Sequence, residues 1–224
     1  MWPPTTSINL RGTCRLIPSR FPPTGILDLI AEPEDLEMIF ELEGWTNDRI
    51  CGELGILHQL SGDEWVVGRP LASVVMAAYC HPRPEGSRFN SPYRGAWYAA
   101  FTLEAAHGEA TYHRTRELLE VGVLETRVQM RLYRANFLAE FHDIRADKPE
   151  YAIYHSPLSY EASQDLAQRL LESGSNGILY RSVRYEEGEC IACFRPPLVL
   201  NPRAGPHFEY SWEGEVQPRI RRLG

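Results

Sequence analysis

From Thr126 onward the chain alternates: Val128, Met130 and Leu132 fall on one side, Arg127, Gln129 and Arg131 on the other. Strand side chains project with a period of two, so this is a strand with one face on a core and the other in water. A sheet with a covered face follows, and the covering layer has to come from elsewhere in the chain. Two stretches offer it at helical spacing. One runs from Leu103 to Leu119 and stops at Gly122; the other is opened by Ser156-Pro157, carries Ala162, Leu166, Ala167 and Leu170 on one stripe, and ends at Gly174. Further strands are predicted over Gly95 to Phe101, Gly177 to Arg184, Glu189 to Phe194 and His207 to Trp212. Helices interleaved with mixed strands, without a regular strand-helix-strand rhythm, predict an α+β fold in a single domain spanning residues 1–224.

Ahead of that alternation the pattern is less regular. Ile8 to Arg11 and Cys14 to Ile17 read as short segments, and prolines at 18, 22 and 23 forbid a long element there. Pro33 suits a first helical position, with Leu36, Ile39, Phe40 and Glu43 following up to Gly44; a second helix after Asn47 would bury Ile50, Leu54 and Leu57. Together they predict a helical hairpin from about 33 to 60. Leu71 to Cys80 fits a helix or a strand equally, because periodicity cannot arbitrate a short apolar run.

A net charge of −7 argues against direct nucleic-acid binding, since a surface that holds a polyanion carries a basic excess. The opening Met1-Trp2-Pro3-Pro4 has neither the basic leader nor the apolar stretch of a signal peptide, and no apolar run approaches the ~20 residues that span a bilayer. Five cysteines, an odd number, fit a reducing cytoplasm. Cys190 and Cys193 lie three apart on a predicted strand and so point to opposite faces; with no second pair at ligand spacing they read as packing residues, and no metal is expected.

The chemistry concentrates between Gly86 and Glu109. A polar loop holding Arg88 leads into a short apolar strand near Tyr98, and the helix that follows carries Glu109 in its second turn. An arginine ahead of a strand and a carboxylate behind it can converge on one cleft. Such a cleft suits a ligand with phosphates, a flat ring and a bond whose cleavage leaves positive charge. His113, one turn after Glu109, can reach the same place. A Gly-x-Ser-x-Gly elbow, a Gly-x-Gly-x-x-Gly turn and a phosphate-cradling loop with Lys-Ser/Thr are all missing, which argues against serine hydrolase, Rossmann and nucleotide-triphosphatase readings.

Arg88, Tyr98, Glu109 and Ser182 together resemble the pattern of the RES-domain family. The resemblance runs from about Arg15 to Pro196, and its most specific parts are Gly86 to Asn90, the spacing from Trp97-Tyr98 to Glu109, and Gly177 to Arg184. It implies an ADP-ribosyltransferase-like mixed sheet core with flanking helices, to which this chain adds the N-terminal hairpin. It also implies a toxin of a toxin–antitoxin pair that cleaves the nicotinamide–ribose bond of NAD, with inorganic phosphate as acceptor. NAD is then a substrate, and no cofactor is implied. Arg88, Glu109 and Ser182 would be the catalytic set; Arg20, Asn90, Tyr98 and His113 would bind substrate. The implied partner is an antitoxin with an Xre-like helix-turn-helix domain, and members are often homodimeric within their complexes. Three alternatives stay open: ADP-ribosyl transfer to a protein, plain NAD glycohydrolysis, and a catalytically silent partner of a DNA-binding antitoxin. One departure is visible: the family often places an Arg-Tyr pair shortly before the central arginine, whereas Arg20-Phe21 lies far upstream, behind the predicted hairpin.

Overall fold

The computed structural model describes residues 2–19, 26–28, 56–57 and 60–224; the predicted hairpin at 33–60 therefore falls almost wholly outside the described residues. The strands are β1 (Thr5–Pro18), β2 (Trp97–Ala100), β3 (Glu125–Asp143), β4 (Gly177–Arg181), β5 (Glu189–Cys193), β6 (Leu200–Glu213) and β7 (Arg219–Arg222). The α-helices are α1 (Ala72–Cys80), α2 (Leu103–Glu120) and α3 (Glu161–Glu172). Among the described residues the strands form one mixed sheet in the order β1-β2-β5-β4-β3-β6-β7, antiparallel except for β3 beside β4. β1 also pairs with β3, from Thr5 opposite His142 to Pro18 opposite Met130, so the pairings β1-β2-β5-β4-β3 close on themselves. The expected α+β class with a mixed sheet is what the chain forms.

The three shortest inner strands are buried on both faces, which divides the interior into two cores. Trp97 and Ala99 of β2, Leu179 of β4, and Ile191 and Cys193 of β5 face a core that α1 covers. Ala100, Ile178, Tyr180, Cys190 and Ala192 face the other, filled by Ala105 and Ala106 of α2 and by Leu166, Ala167 and Leu170 of α3. Cys190 and Cys193 thus lie on opposite sides of the sheet, as the strand period requires. Burial pushes both thiols up, Cys193 to about 12, so both stay protonated at neutral pH.

Several boundaries differ from the sequence reading. β1 is one strand of 14 residues rather than two short pieces, because a register shift between Leu10 and Thr13 absorbs the break in alternation. α1 is a helix with Val74, Val75, Met76, Tyr79 and Cys80 all buried; its lack of a polar face left no stripe to recognise. α3 begins at Glu161, not at Ser156-Pro157, since Pro149–His155 winds as a 3-10 helix and the chain turns before the α-helix starts. β4 stops at Arg181, so Ser182 stands on a turn. β7 has no counterpart in the sequence reading.

A buried carboxylate ties the edge of this core together. Glu64 accepts from Arg94 at both oxygens (2.8 and 2.6 Å) and from Arg195 (2.9 Å), while Arg94 also donates to the Phe194 carbonyl (2.7 Å). Burial alone would raise the Glu64 pKa, but the two guanidinium bonds outweigh it and hold it below the usual carboxylate range. Glu64→Ala strands two arginines and is expected to cost about 3 kcal/mol of stability in chemical denaturation. With its folded pKa depressed, Glu64 contributes above the ordinary carboxylate range, and the contribution is lost as pH falls through the folded value. The stability gap between wild type and Glu64→Ala is therefore expected to narrow on acidification.

Candidate active site

A cavity of about 290 Å³ opens between β1, β2 and α2, and Arg88, Tyr98, Glu109 and His113 all line it. Each is placed by a local device that the sequence provides. The Arg88 loop is cinched at its ends, Ser87 N–H donating to the Asn90 carbonyl at 3.0 Å. Gly86 allows this closure: its φ is +73°, and a Cβ there would stand 2.3 Å from the Asn90 carbonyl oxygen. Gln164 of α3 donates to the carbonyls of Glu85 and Ser87, both at 3.0 Å, and Phe89 plugs into the core edge-on to Tyr180.

Tyr98 fastens the same loop from β2. The Phe89 N–H donates to its hydroxyl (2.8 Å), which in turn donates to Asn90 Oδ1 (2.9 Å). The ring lines the cavity, but its polar tip is committed to the loop, and burial raises the phenol pKa so that the proton is retained. Asn90 is not on the cavity wall: its amide bonds Tyr98 and the Ser91 carbonyl. In this structure Asn90 supports Tyr98. Tyr98→Phe removes one bracket of the loop. We expect about 1 kcal/mol less stability and roughly tenfold lower kcat/KM from the loosened Arg88, measurable by thermal unfolding and steady-state kinetics.

Arg88 itself is 6% exposed. Its Nη1 donates to the carbonyls of Tyr154 (3.1 Å) and Ser156 (2.8 Å), and its guanidinium lies 4.7 Å from the Tyr160 ring centroid. No carboxylate among the described residues pairs with it. Both carbonyl bonds use one nitrogen, and the remaining donors of the fork carry no protein acceptor among the described residues, so they are available to an anion.

Glu109 projects from α2, whose N-terminus is capped by Thr102 accepting from Ala105 N–H. The buried face of α2 is small, Ala105, Ala106, Thr111 and Thr115, and so the helix sits close to the sheet and to the turn after β4. In that turn Ser182 Oγ accepts the N–H groups of Arg184 (3.1 Å) and Tyr185 (3.0 Å) and donates to Glu109 Oε1 at 2.6 Å. Gly188 makes the approach feasible, since a Cβ there would lie 3.0 Å from the Ser182 Cβ. Ser182 is not itself on the cavity wall; it fixes the carboxylate that is. Burial raises the Glu109 pKa, and the Ser182 bond and the fields of Arg88 and Arg184 only partly offset this.

His113 completes this wall in a neutral form. Burial and the surrounding arginines, Arg83 first, hold its pKa down at about 3. Arg83 Nη1 approaches His113 Nδ1 at 3.3 Å and can only donate, so the ring proton sits on Nε2, 3.9 Å from Glu109 Oε2. A neutral imidazole at that distance makes no ion pair with Glu109. Arg20 lies outside the described residues.

The sequence reading missed Arg15, Tyr160 and Arg184. Arg15 lines the cavity from β1, donates Nη1 to the Tyr98 carbonyl (3.0 Å) and stands 4.9 Å from the Trp97 ring centroid. A lone arginine in a half-buried strand, opposite no obvious partner, was the available signal. Among the described residues no three His, Cys, Asp or Glu side chains are placed to hold a metal ion.

Comparison with known proteins places this arrangement in a family. A protein y4oC of Sinorhizobium fredii is 26% identical over 200 residues, covering 89% of this chain and 82% of that protein. A chain of the M. tuberculosis MbcT-MbcA toxin–antitoxin complex superposes with a TM-score of 0.40 at 15% identity, over 63% of this chain and 73% of that one. The RES domain model matches residues 63–213, which contain Arg88, Tyr98, Glu109 and Ser182 and leave β1 outside, and on that match the chain belongs to the RES-domain family.

Proposed function

We propose that the cavity binds NAD, cleaves its nicotinamide–ribose bond and transfers ADP-ribose to inorganic phosphate, and that the chain acts as the toxin of a toxin–antitoxin pair in the cytoplasm. The observation that carries this reading is a buried carboxylate, Glu109, held by Ser182 on the same cavity as an arginine with no carboxylate partner among the described residues. Nicotinamide departs neutral from a cationic ring, so no acid is needed to protonate it. The two-carboxylate arrangement of most glycosidases is thereby unnecessary, and one carboxylate suffices to stabilise an oxocarbenium-like ribose. Ser182 holds Glu109 in one rotamer, neutral His113 adds no competing positive charge, and Arg88 offers its fork to a phosphoryl group.

At about 290 Å³ the cavity is near the low end of the ~300–1,000 Å³ typical of ligand sites, a size for the nicotinamide riboside end with the adenosine outside. Membership of the RES family supports the NAD reading, and a complex whose name is that of a toxin–antitoxin pair lies among the similar structures. The implied partner is an antitoxin with an Xre-like helix-turn-helix domain that covers the cleft. Among the described residues no helix is long and apolar enough to cross a membrane.

The test is to incubate pure protein with NAD, with and without phosphate, and identify products by mass spectrometry. Phosphorylated ADP-ribose formed only with phosphate supports the reading. ADP-ribose alone would make the chain a glycohydrolase, a labelled protein would make it a protein ADP-ribosyltransferase, and intact NAD throughout would remove the enzymatic reading.

A further inference from the structure

Arg88 and Glu109 reach the cavity from different elements, and one short segment is bonded to the supports of both. Residues 154–157 lead from the end of the 3-10 helix Pro149–His155 toward α3. Their bonds alternate along the chain. The carbonyls of Tyr154 and Ser156 accept from Arg88 Nη1, at 3.1 and 2.8 Å. The His155 ring accepts the Arg181 N–H at 3.2 Å, and the Pro157 carbonyl accepts from Arg184 Nη2 at 3.1 Å. Arg181 and Arg184 flank Ser182, whose hydroxyl holds Glu109. Arg184 also lies 3.4 Å from the ring centroid of Tyr112, on the helix that carries Glu109. The segment therefore binds Arg88 on one side and the Ser182 turn on the other.

The form of the His155 ring is fixed by what it touches. Nδ1 lies 3.0 Å from the Tyr151 carbonyl, which can only accept, and Nε2 faces the Arg181 N–H, which can only donate. His155 is thus the neutral tautomer with its proton on Nδ1. Burial lowers its pKa, the Tyr151 bond partly offsets this, and the fields of Arg181 and Arg88 add to the lowering. An acceptor is needed at this point because the sheet ends beside it. β3 leaves β4 after Asp143, where the Ile144 N–H donates to the Leu179 carbonyl at 3.0 Å. The next N–H on that side of β4 is that of Arg181, and a side chain takes the place of the missing strand.

We propose that His155 is a positioning residue for the reaction: by docking residues 154–157 on the end of β4, it fixes the separation between Arg88 and the Ser182–Glu109 pair. This rests on the NAD reading, in which the two groups act on one ligand. A loss of register between them would weaken both at once, since a misplacement of about 1 Å can cost 10²-fold in rate. A ring that only satisfied the Arg181 N–H would stabilise the end of β4 and leave Arg88 and Glu109 where they are.

The experiment uses the full chain and two variants that divide the ring's bonds. Glutamine reaches the place of Nε2 and can still accept from Arg181; asparagine reaches only the place of Nδ1 and can keep the Tyr151 bond alone. Three readouts are compared: kcat/KM for NAD, pyrophosphate affinity by calorimetry for Arg88, and amide exchange at Arg184 and Tyr185, whose N–H groups bond Ser182 Oγ. His155→Asn is expected to lower kcat/KM by about tenfold, weaken pyrophosphate and speed both amides, with His155→Gln close to wild type in all three. In a Ser182→Ala background, where Glu109 is already released, the loss from His155→Asn should shrink, because the two substitutions remove parts of one linkage. Faster exchange at Arg181 alone, with pyrophosphate affinity and the Arg184 and Tyr185 amides unchanged, overturns the positioning role. An equal loss from His155→Gln and His155→Asn overturns it as well, as does an undiminished loss in the Ser182→Ala background. Wild-type protein that leaves NAD intact, while His155→Asn still weakens pyrophosphate and speeds both amides, would overturn the NAD reading and leave the linkage standing.

Discussion

Glu109→Gln is expected to lower kcat for NAD cleavage by about 10²–10³-fold, with KM for NAD changed little. Glutamine has the shape of glutamate, and its carbonyl oxygen can still accept from Ser182, so the turn after β4 should hold. What disappears is the negative charge that faces the developing cation. The same charge sets the acid limb of the pH–rate profile. Burial raises the Glu109 pKa above the ordinary 4.5, and activity needs the ionised form. The wild-type rate should therefore fall on acidification from a pH above 4.5, and the residual rate of Glu109→Gln should lack that limb. His113, neutral down to about 3, contributes no limb in this range. Stopped assays from pH 4 to 8, with nicotinamide release as the readout, check both halves of the expectation. Wild-type activity in Glu109→Gln would remove the carboxylate from the reaction.

Arg88→Lys is expected to lower kcat/KM by about 10²-fold while leaving the fold intact. The substitution keeps the charge but not the fork. In the wild type one nitrogen is anchored on the carbonyls of Tyr154 and Ser156 and the planar group stacks near Tyr160, which leaves the remaining donors aimed by three contacts. An ammonium can satisfy a carbonyl or reach the ligand, but a flexible point charge cannot reproduce both. Steady-state kinetics beside a denaturant titration separates the effects: lost activity with unchanged stability is the expected pair. If the Arg88→Lys protein is fully active, the arginine's planar geometry plays no part in the reaction.

How much of this was legible depends on whether burial left a pattern. The alternation through Val128, Met130 and Leu132 located β3, because one face is exposed there; its extension to Asp143 was hidden because Leu132 and Tyr133 are both buried, at a register shift against β6, and the buried set then passes to Tyr133, Ala135, Phe137 and Phe141. α2 was read almost to the residue, since its stop near Gly122 is local chemistry; the Thr102 cap is added by the structure. β7 is Arg-Ile-Arg-Arg with every side chain exposed, so it has no buried face to announce it; its pairing with β6 defines it. In the site, Arg88, Glu109 and Ser182 were read from a family pattern. The geometry adds what spacing could not give, that Ser182 acts on Glu109 and Asn90 on Tyr98. Arg15 went unread because its spacing in β1 does not set it apart, and its bond to the Tyr98 carbonyl is visible only in three dimensions.

The most direct test of the central claim is a crystal structure of the Glu109→Gln protein soaked with NAD, slow enough to trap the intact dinucleotide. The account predicts density in the cavity with a ribose hydroxyl in hydrogen-bonding reach of residue 109 and a phosphoryl oxygen on Arg88. NAD bound on another surface, with this cavity filled only by solvent, would contradict it.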